Sequence, residues 1–159
     1  MIKLGSKAID SVTGIKGTVM LFQYNLGGVL WYLLQPKGVN KETGLLFPSI
    51  WVNPYRLTDT TIVDEPDLPI EILGTQVEDV PTGFKGTAIG LILHMSGCLH
   101  VDIQPRGQLK TGGPLPTMDT DIRRLKGRAI TAMTERKKAQ DKLEYPSPSS
   151  NVAPCHGPH

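Results

Sequence analysis

Leu4-Gly5-Ser6-Lys7-Ala8-Ile9-Asp10-Ser11-Val12-Thr13-Gly14-Ile15-Lys16-Gly17-Thr18 decides how the rest of the chain is read, because the chain uses it twice. The second copy, 69 residues on, is Leu73-Gly74-Thr75-Gln76-Val77-Glu78-Asp79-Val80-Pro81-Thr82-Gly83-Phe84-Lys85-Gly86-Thr87. The register holds through Gly28/Gly97, Leu30/Leu99, Gln35/Gln104, Pro36/Pro105, Gly38/Gly107, Lys41/Lys110 and Gly44/Gly113. After a one-residue deletion it resumes with Pro48/Pro116, Arg56/Arg124 and Leu57/Leu125. Self-similarity at a fixed offset marks a repeated structural unit. The 159 residues therefore divide into a first module over 1–57, an acidic connector over 58–71, a second module over 72–125, and a basic helix with a Pro-rich tail over 126–159. Modules this small bury only about 60% of their unfolded surface, so they need each other or a larger assembly.

Each module reads as all-β. Lys7–Thr13 is a short strand, and Thr13-Gly14-Ile15-Lys16-Gly17 a tight turn whose glycines accept positive φ. Thr18–Tyr24 is rich in strand formers and ends at the hairpin signal Asn25-Leu26-Gly27-Gly28. Val29–Gln35 is too apolar to be half-exposed, and Pro36 ends it. Phe47–Leu57 is a final irregular strand or single helical turn around Trp51 and Tyr55. The second module repeats this order, with better alternation in its third strand: Cys98, His100 and Asp102 against Leu99, Val101 and Ile103. Four or five short strands with glycine turns in so few residues predict a small, strongly bent β-barrel in each module. Thr120-Asp121 offers a helix N-cap before Ile122. Beyond it, Ile122, Leu125, Ala129, Ala132/Met133 and Leu143 make an apolar stripe too thin for a core helix. Tyr145–His159, with four prolines, is not expected to fold by itself.

Charge is segregated. Residues 1–121 hold nine Lys/Arg against twelve Asp/Glu, whereas residues 122–159 hold eight against three. A basic end on an acidic body is the pattern of an interaction tail. The acidic body disfavours a nucleic-acid-binding barrel, whose surface should be basic. Two cysteines, Cys98 and Cys155, make no disulfide framework, which suggests a reducing compartment. No apolar run reaches membrane-spanning length, and no signal-peptide core follows Lys3, so no membrane partner is expected.

No motif in the chain announces a reaction. The repeated Thr-Gly-x-Lys-Gly, with Lys16 and Lys85, reads as a hairpin turn, and the P-loop pattern is absent. Asp10 and Asp79 recur in equivalent places and are expected to cap the turn that follows them. Nucleophile-elbow and zinc-protease signatures are missing, so the chain is expected to be no enzyme and to need no cofactor. His94, Cys98 and His100, with Cys155, His156 and His159, match no familiar zinc spacing and are read as ordinary surface residues, with no metal assigned. Trp31, Trp51 and Tyr55 either build the core of module one or line an aromatic groove for a partner. Their counterparts in module two are His100, Asp119 and Arg123, so the copies differ in side chains that dominate contact surfaces. The candidate interaction residues are Trp31, Trp51 and Tyr55 with the basic set Arg123, Arg124, Arg128, Arg136, Lys137 and Lys138.

Three features together carry a resemblance: the Leu-Gly-x-Lys-x-x-Asp-x-Val-Thr-Gly-x-x-Gly opening, Gly97-Cys98 leading to Pro105, and Trp51 ahead of Arg56-Leu57. The chain resembles a family of short phage- and prophage-encoded proteins, mostly single-copy and without assigned function. Module two departs from the pattern by lacking the tryptophan. The strand order is also similar to SH3-like and KOW-type barrels, an analogy of fold that does not give function. The resemblance implies a phage origin; together with marginal module size, duplication, a tail not expected to fold and absent catalytic signatures, it leads to the expectation of a virion accessory protein, capsid-decorating or head/tail-associated, made in the bacterial cytoplasm and acting by contact with other virion proteins and with copies of itself. Two alternatives stand beside it. One is an early phage protein that binds a host enzyme or sequesters a signalling nucleotide; the other is a KOW-like nucleic-acid-binding module.

Overall fold

A computed structural model of the chain describes residues 1–143. Among these, ten strands and one α-helix form a single continuous antiparallel sheet with a helix at its end. Module one contains β1 (Lys7–Asp10), β2 (Lys16–Asn25), β3 (Leu30–Pro36), β4 (Ile50–Val52), a 3-10 turn at Pro54–Arg56 and β5 (Leu57–Thr58). Module two contains β6 (Gln76–Asp79), β7 (Lys85–His94), β8 (Leu99–Gln104), β9 (Met118–Asp121), a 3-10 turn at Ile122–Arg124 and β10 (Leu125–Lys126). Helix α1 (Arg128–Leu143) follows.

The pairing repeats as the sequence does. In each module the first strand lies between the last and the second, the third pairs with the second, and the fourth with the third. Lys7 faces Thr18 as Gln76 faces Thr87. The β1–β2 turn is built as the sequence predicts. Asp10 N donates to Ile15 O, Gly14 N donates to Asp10 O, and Gly14 takes φ +73°. The second glycine of the motif has another reason. A Cβ on Gly17 would lie 2.5 Å from the Gln35 carbonyl oxygen, and one on Gly86 would lie 2.4 Å from that of Gln104. Only a bare Cα lets the strands approach this closely. The repeated Gln-Pro also has a shared task. Gln35 Nε2 donates to Phe47 O and Gln104 Nε2 donates to Leu115 O, each tying a long loop to the third strand.

Strands β2 and β7 each change partner midway. A bulge between Val19 and Leu21, matched by one between Ala88 and Gly90, kinks each strand. Before the bulge β2 lies against β1; beyond it, Leu21–Asn25 pairs with Gly90–His94 of β7. Backbone bonds from Leu26 N to Ile89 O and from Met95 N to Met20 O extend this ladder at both ends. The two modules thus share one sheet.

Two cores lie beneath it. Val19, Phe22, Tyr32, Leu34 and Val52 anchor the first; Ile72, Ala88, Leu91, Val101 and Ile103 anchor the second. Tyr24 and Leu68 pack against both. The acidic connector is tied down at its start, where Lys3 N donates to Thr61 O and Met1 N to Val63 O. At its end, a 3-10 turn over Ile70–Ile72 seats Ile72 in the second core.

The structure corrects two expectations. Neither module closes into a barrel: among the described residues β4 pairs only with β3, and β5 only with β1. In module two β9 likewise pairs with β8 and β10 with β6; the last two strands of each module, three and two residues long in the first and four and two in the second, are joined by a 3-10 turn and leave those edges apart. The helix begins at Arg128, not at Ile122. Asp121 does cap, through its carboxylate and Arg123 N, but the turn it caps is a single 3-10 turn. The chain then spends Leu125–Lys126 pairing with β6. Gly127, whose Cβ would lie 2.7 Å from Gln76 O, allows the tight turn into α1. The first turn of α1 then docks Ile130 in the second core. The Pro-rich tail lies outside the described residues.

Candidate contact face and histidine cluster

The central strands run in the order β4-β3-β2-β7-β8-β9. Side chains alternate between faces, and paired residues share a face. The register therefore sorts them. Trp51, Leu33, Trp31, Leu21, Gln23 and Asn25 lie on the outer face of module one; Gly90, Ile92, His94, His100, Asp102, Asp119 and Asp121 continue it across module two. One half is largely apolar and the other is acidic and imidazole-bearing, although the backbone beneath is the same.

The two tryptophans are therefore not core residues: the opposite face of their strands, Tyr32, Leu34 and Val52, supplies the core. Trp51 is 44% exposed. The neighbouring loop adds exposed Leu45, Leu46 and Phe47. Tyr55 sits in the 3-10 turn after β4 and is almost fully exposed.

The basic candidates scatter. Arg123 folds back on Asp121, with Nε 2.9 Å from Oδ1, and those bonds hold the Asp121 carboxyl below its ordinary range. Arg124 is bound to buried Asp79. Both arginines thus have acid partners within the chain, while their side chains remain about half exposed. Arg136 lies 3.6 Å from Glu71 of the connector. Arg128, Lys137 and Lys138 are exposed along α1.

On the second half, His94 and His100 approach with ring centroids 4.6 Å apart. His100 Nδ1 lies 2.7 Å from Asp119 Oδ1. One ligand atom from each of His94, His100 and Asp119 falls within 4.8 Å of the others. His94 Nε2 is buried and has no hydrogen-bond partner among the described residues. Burial, then the neighbouring His100, holds its pKa down, against the pull of Asp119. Gln23 of module one donates Nε2 to Asp102 Oδ2 at 3.0 Å, a side-chain bond between modules. Gly90 leaves room for it: a Cβ there would meet Asp102 Oδ2 at 3.3 Å and Gln23 Nε2 at 3.4 Å. Burial and then the Asp119 charge push the Asp102 carboxyl above its ordinary value.

Of the histidine–cysteine set read from the sequence, His94 and His100 come together. Cys98 is buried, not the surface residue expected there, and it is not a free thiol. Cys155, His156 and His159 lie outside the described residues. Sequence reasoning missed Asp119, Asp121 and Gln23. The signal was present in Asp119-x-Asp121, two acids two residues apart and therefore on one strand face.

A separate cleft of about 340 Å³ lies between module one and the connector, lined by residues including Phe22, Tyr24, Leu30 and Leu68. Among the described residues, no helix is long and apolar enough to cross a membrane. No family model, curated protein or solved structure matches the chain.

Proposed function

We propose that the chain is a non-enzymatic accessory protein of a phage virion that works by protein–protein contact, its modules being open variants of the SH3-like barrel. The strand order in each module, with a 3-10 turn before the last strand, supports the fold reading. One observation carries the function. Module one turns Trp31, Leu33 and Trp51 outward on a face that its own core does not use, beside a loop exposing Leu45, Leu46 and Phe47. Contiguous exposed apolar surface with aromatic anchors is the composition of a protein-binding surface. The partner is another virion protein or a further copy of the chain. No nucleic-acid role is included, because the outer face of module two carries Asp102, Asp119 and Asp121.

Quantitative mass spectrometry of purified particles tests this reading. The chain should be present in a fixed copy number, and the Trp31→Ala/Trp51→Ala variant should assemble at far lower occupancy while remaining folded. A chain abundant in infected cells but missing from particles would show that it acts on a host partner instead.

A further inference from the structure

The outer face of module two holds a group of side chains that the contact reading leaves unused. His94 ends β7, His100 lies on β8 and Asp119 on β9, so three adjacent strands each contribute one donor. The sheet fixes their spacing, so no loop has to close to bring them together. Each is a good ligand: imidazole nitrogen and carboxylate oxygen bind first-row transition ions at about 2.0–2.2 Å. Their ligand atoms lie within 4.8 Å of one another. Tetrahedral ligands about 2.1 Å from an ion stand about 3.4 Å apart, so the widest pair has to close by up to about 1.4 Å. His100 Nδ1 and Asp119 Oδ1, at 2.7 Å, have to exchange their hydrogen bond for the ion and open slightly if both ligate. His94 Nε2 points to an unmet demand, since buried polar atoms in folded proteins nearly always have a partner. Asp102 stands on the same face next to these donors and adds a carboxylate to the surroundings, whereas Asp121 on that face is paired with Arg123. In module one the equivalents of His94, His100 and Asp119 are Asn25, Trp31 and Trp51, which cannot form such a set.

We propose that His94, His100 and Asp119 bind one divalent first-row transition-metal ion on the outer face of module two. Two imidazoles and one carboxylate leave at least one coordination position for water or for a donor from a partner.

The test uses the full-length chain without an affinity tag, freed of metal by chelator, titrated calorimetrically with zinc chloride. One zinc ion per chain should bind with micromolar affinity or better, while magnesium should not bind. Zinc should also raise the thermal midpoint. His94→Gln and His100→Gln should each weaken zinc at least about tenfold, and Asp119→Asn by about tenfold or more. The His156→Ala/His159→Ala double variant should bind as the parent does. Cobalt(II) should give visible absorption bands that His100→Gln removes. His100 has a side chain only 27% exposed, yet it lies on an open face, so this variant decides the matter if His94→Gln fails to fold. No zinc binding below the millimolar range, parental binding by His100→Gln, or loss of binding in the tail double variant alone would overturn the proposal.

Discussion

Arg56 grips Asp10 across 46 residues with both prongs of its guanidinium, Nε to Oδ1 at 2.9 Å and Nη2 to Oδ2 at 2.6 Å. Arg124 holds Asp79 in the same way, at 2.8 Å on both prongs. Both carboxylates are fully buried and also accept from the threonine three residues on, Thr13 or Thr82. The repeated aspartate, threonine and arginine are therefore one device. It ties the first hairpin turn to the 3-10 turn that precedes the last strand. Bidentate geometry makes Arg the residue suited to this site.

The device predicts a particular acid response. Hydrogen bonds from Arg56, then Thr13, hold the Asp10 carboxyl well below the usual range. For Asp79, burial pushes upward, but bonds from Thr82, Arg124 and Thr120 outweigh it and the net shift is down. A carboxylate with a depressed folded-state pKa stabilises the fold above its unfolded value of about 4, and that stabilisation is lost as pH falls through the folded value. Thermal midpoints measured from pH 7 to pH 2 should fall steeply below about pH 4 for the parent. The Asp10→Asn and Asp79→Asn variants should melt lower at pH 7 and lose less on acidification. Parallel curves would disprove the assignment.

Asp102 should behave in the opposite sense. Its pKa is raised by burial and then by Asp119, so its charge costs stability at neutral pH and the cost disappears on protonation. In chelator-treated protein, Asp102→Asn should raise the midpoint at pH 7, with the gain vanishing near pH 4. Asparagine can still accept from Gln23. A variant that melts below the parent at pH 7 would mean that the charge itself supports the inter-module bond.

The close-approach glycines should be intolerant. Gly17→Ala and Gly86→Ala drive a methyl into a backbone carbonyl and should each cost about 1–3 kcal/mol in denaturant titrations. Gly27→Ala meets nothing within 4 Å and should be close to neutral. If all three variants unfold at the same denaturant concentration, steric approach is not what fixes glycine there.

Truncation before α1 should injure module two specifically. Ile130 is 7% exposed and belongs to the second core, so deleting Arg128–His159 uncovers Leu125, Val77 and Ile72. Ile130→Ala should cost about 2 kcal/mol or more. Hydrogen exchange should show lost protection in β6 and β10 and little change in β1 or β5. Uniform loss across both modules would mean that the shared sheet unfolds as one unit.

The repeated elements were legible because they rest on local chemistry. Glycines at positive φ, an aspartate that caps its own turn, and Pro36 and Pro105 at strand ends can all be read in a single sequence. The barrels failed to close for a non-local reason: the edge strands of each module are left apart. The placement of Trp31 and Trp51 was open because both faces of β3 are apolar. Periodicity cannot choose between Trp31/Leu33 and Tyr32/Leu34; only the register with β4 and β2 does so. Arg123 and Arg124 read as a basic patch because their acceptors are supplied by Asp121 and by Asp79, which lies 45 residues away. The histidine cluster spans three strands, and its third member was invisible until β8 and β9 were aligned.

In the ladder between β2 and β7, Gln23 faces Ile92, and those two residues hold the same position in the two copies. Leu21 opposite His94 and Asn25 opposite Gly90 are then exchanged by a half-turn about that point. This is the geometry of an isologous dimer, in which one surface meets itself, here written into a single chain. A lone module with this strand would offer an unpaired edge that a second copy fits. Covalent linkage replaces that encounter with a high local concentration, so the pairing no longer depends on dilution. Linkage also frees the halves from being identical, and the strands flanking this axis carry tryptophans on one side and histidines with aspartates on the other.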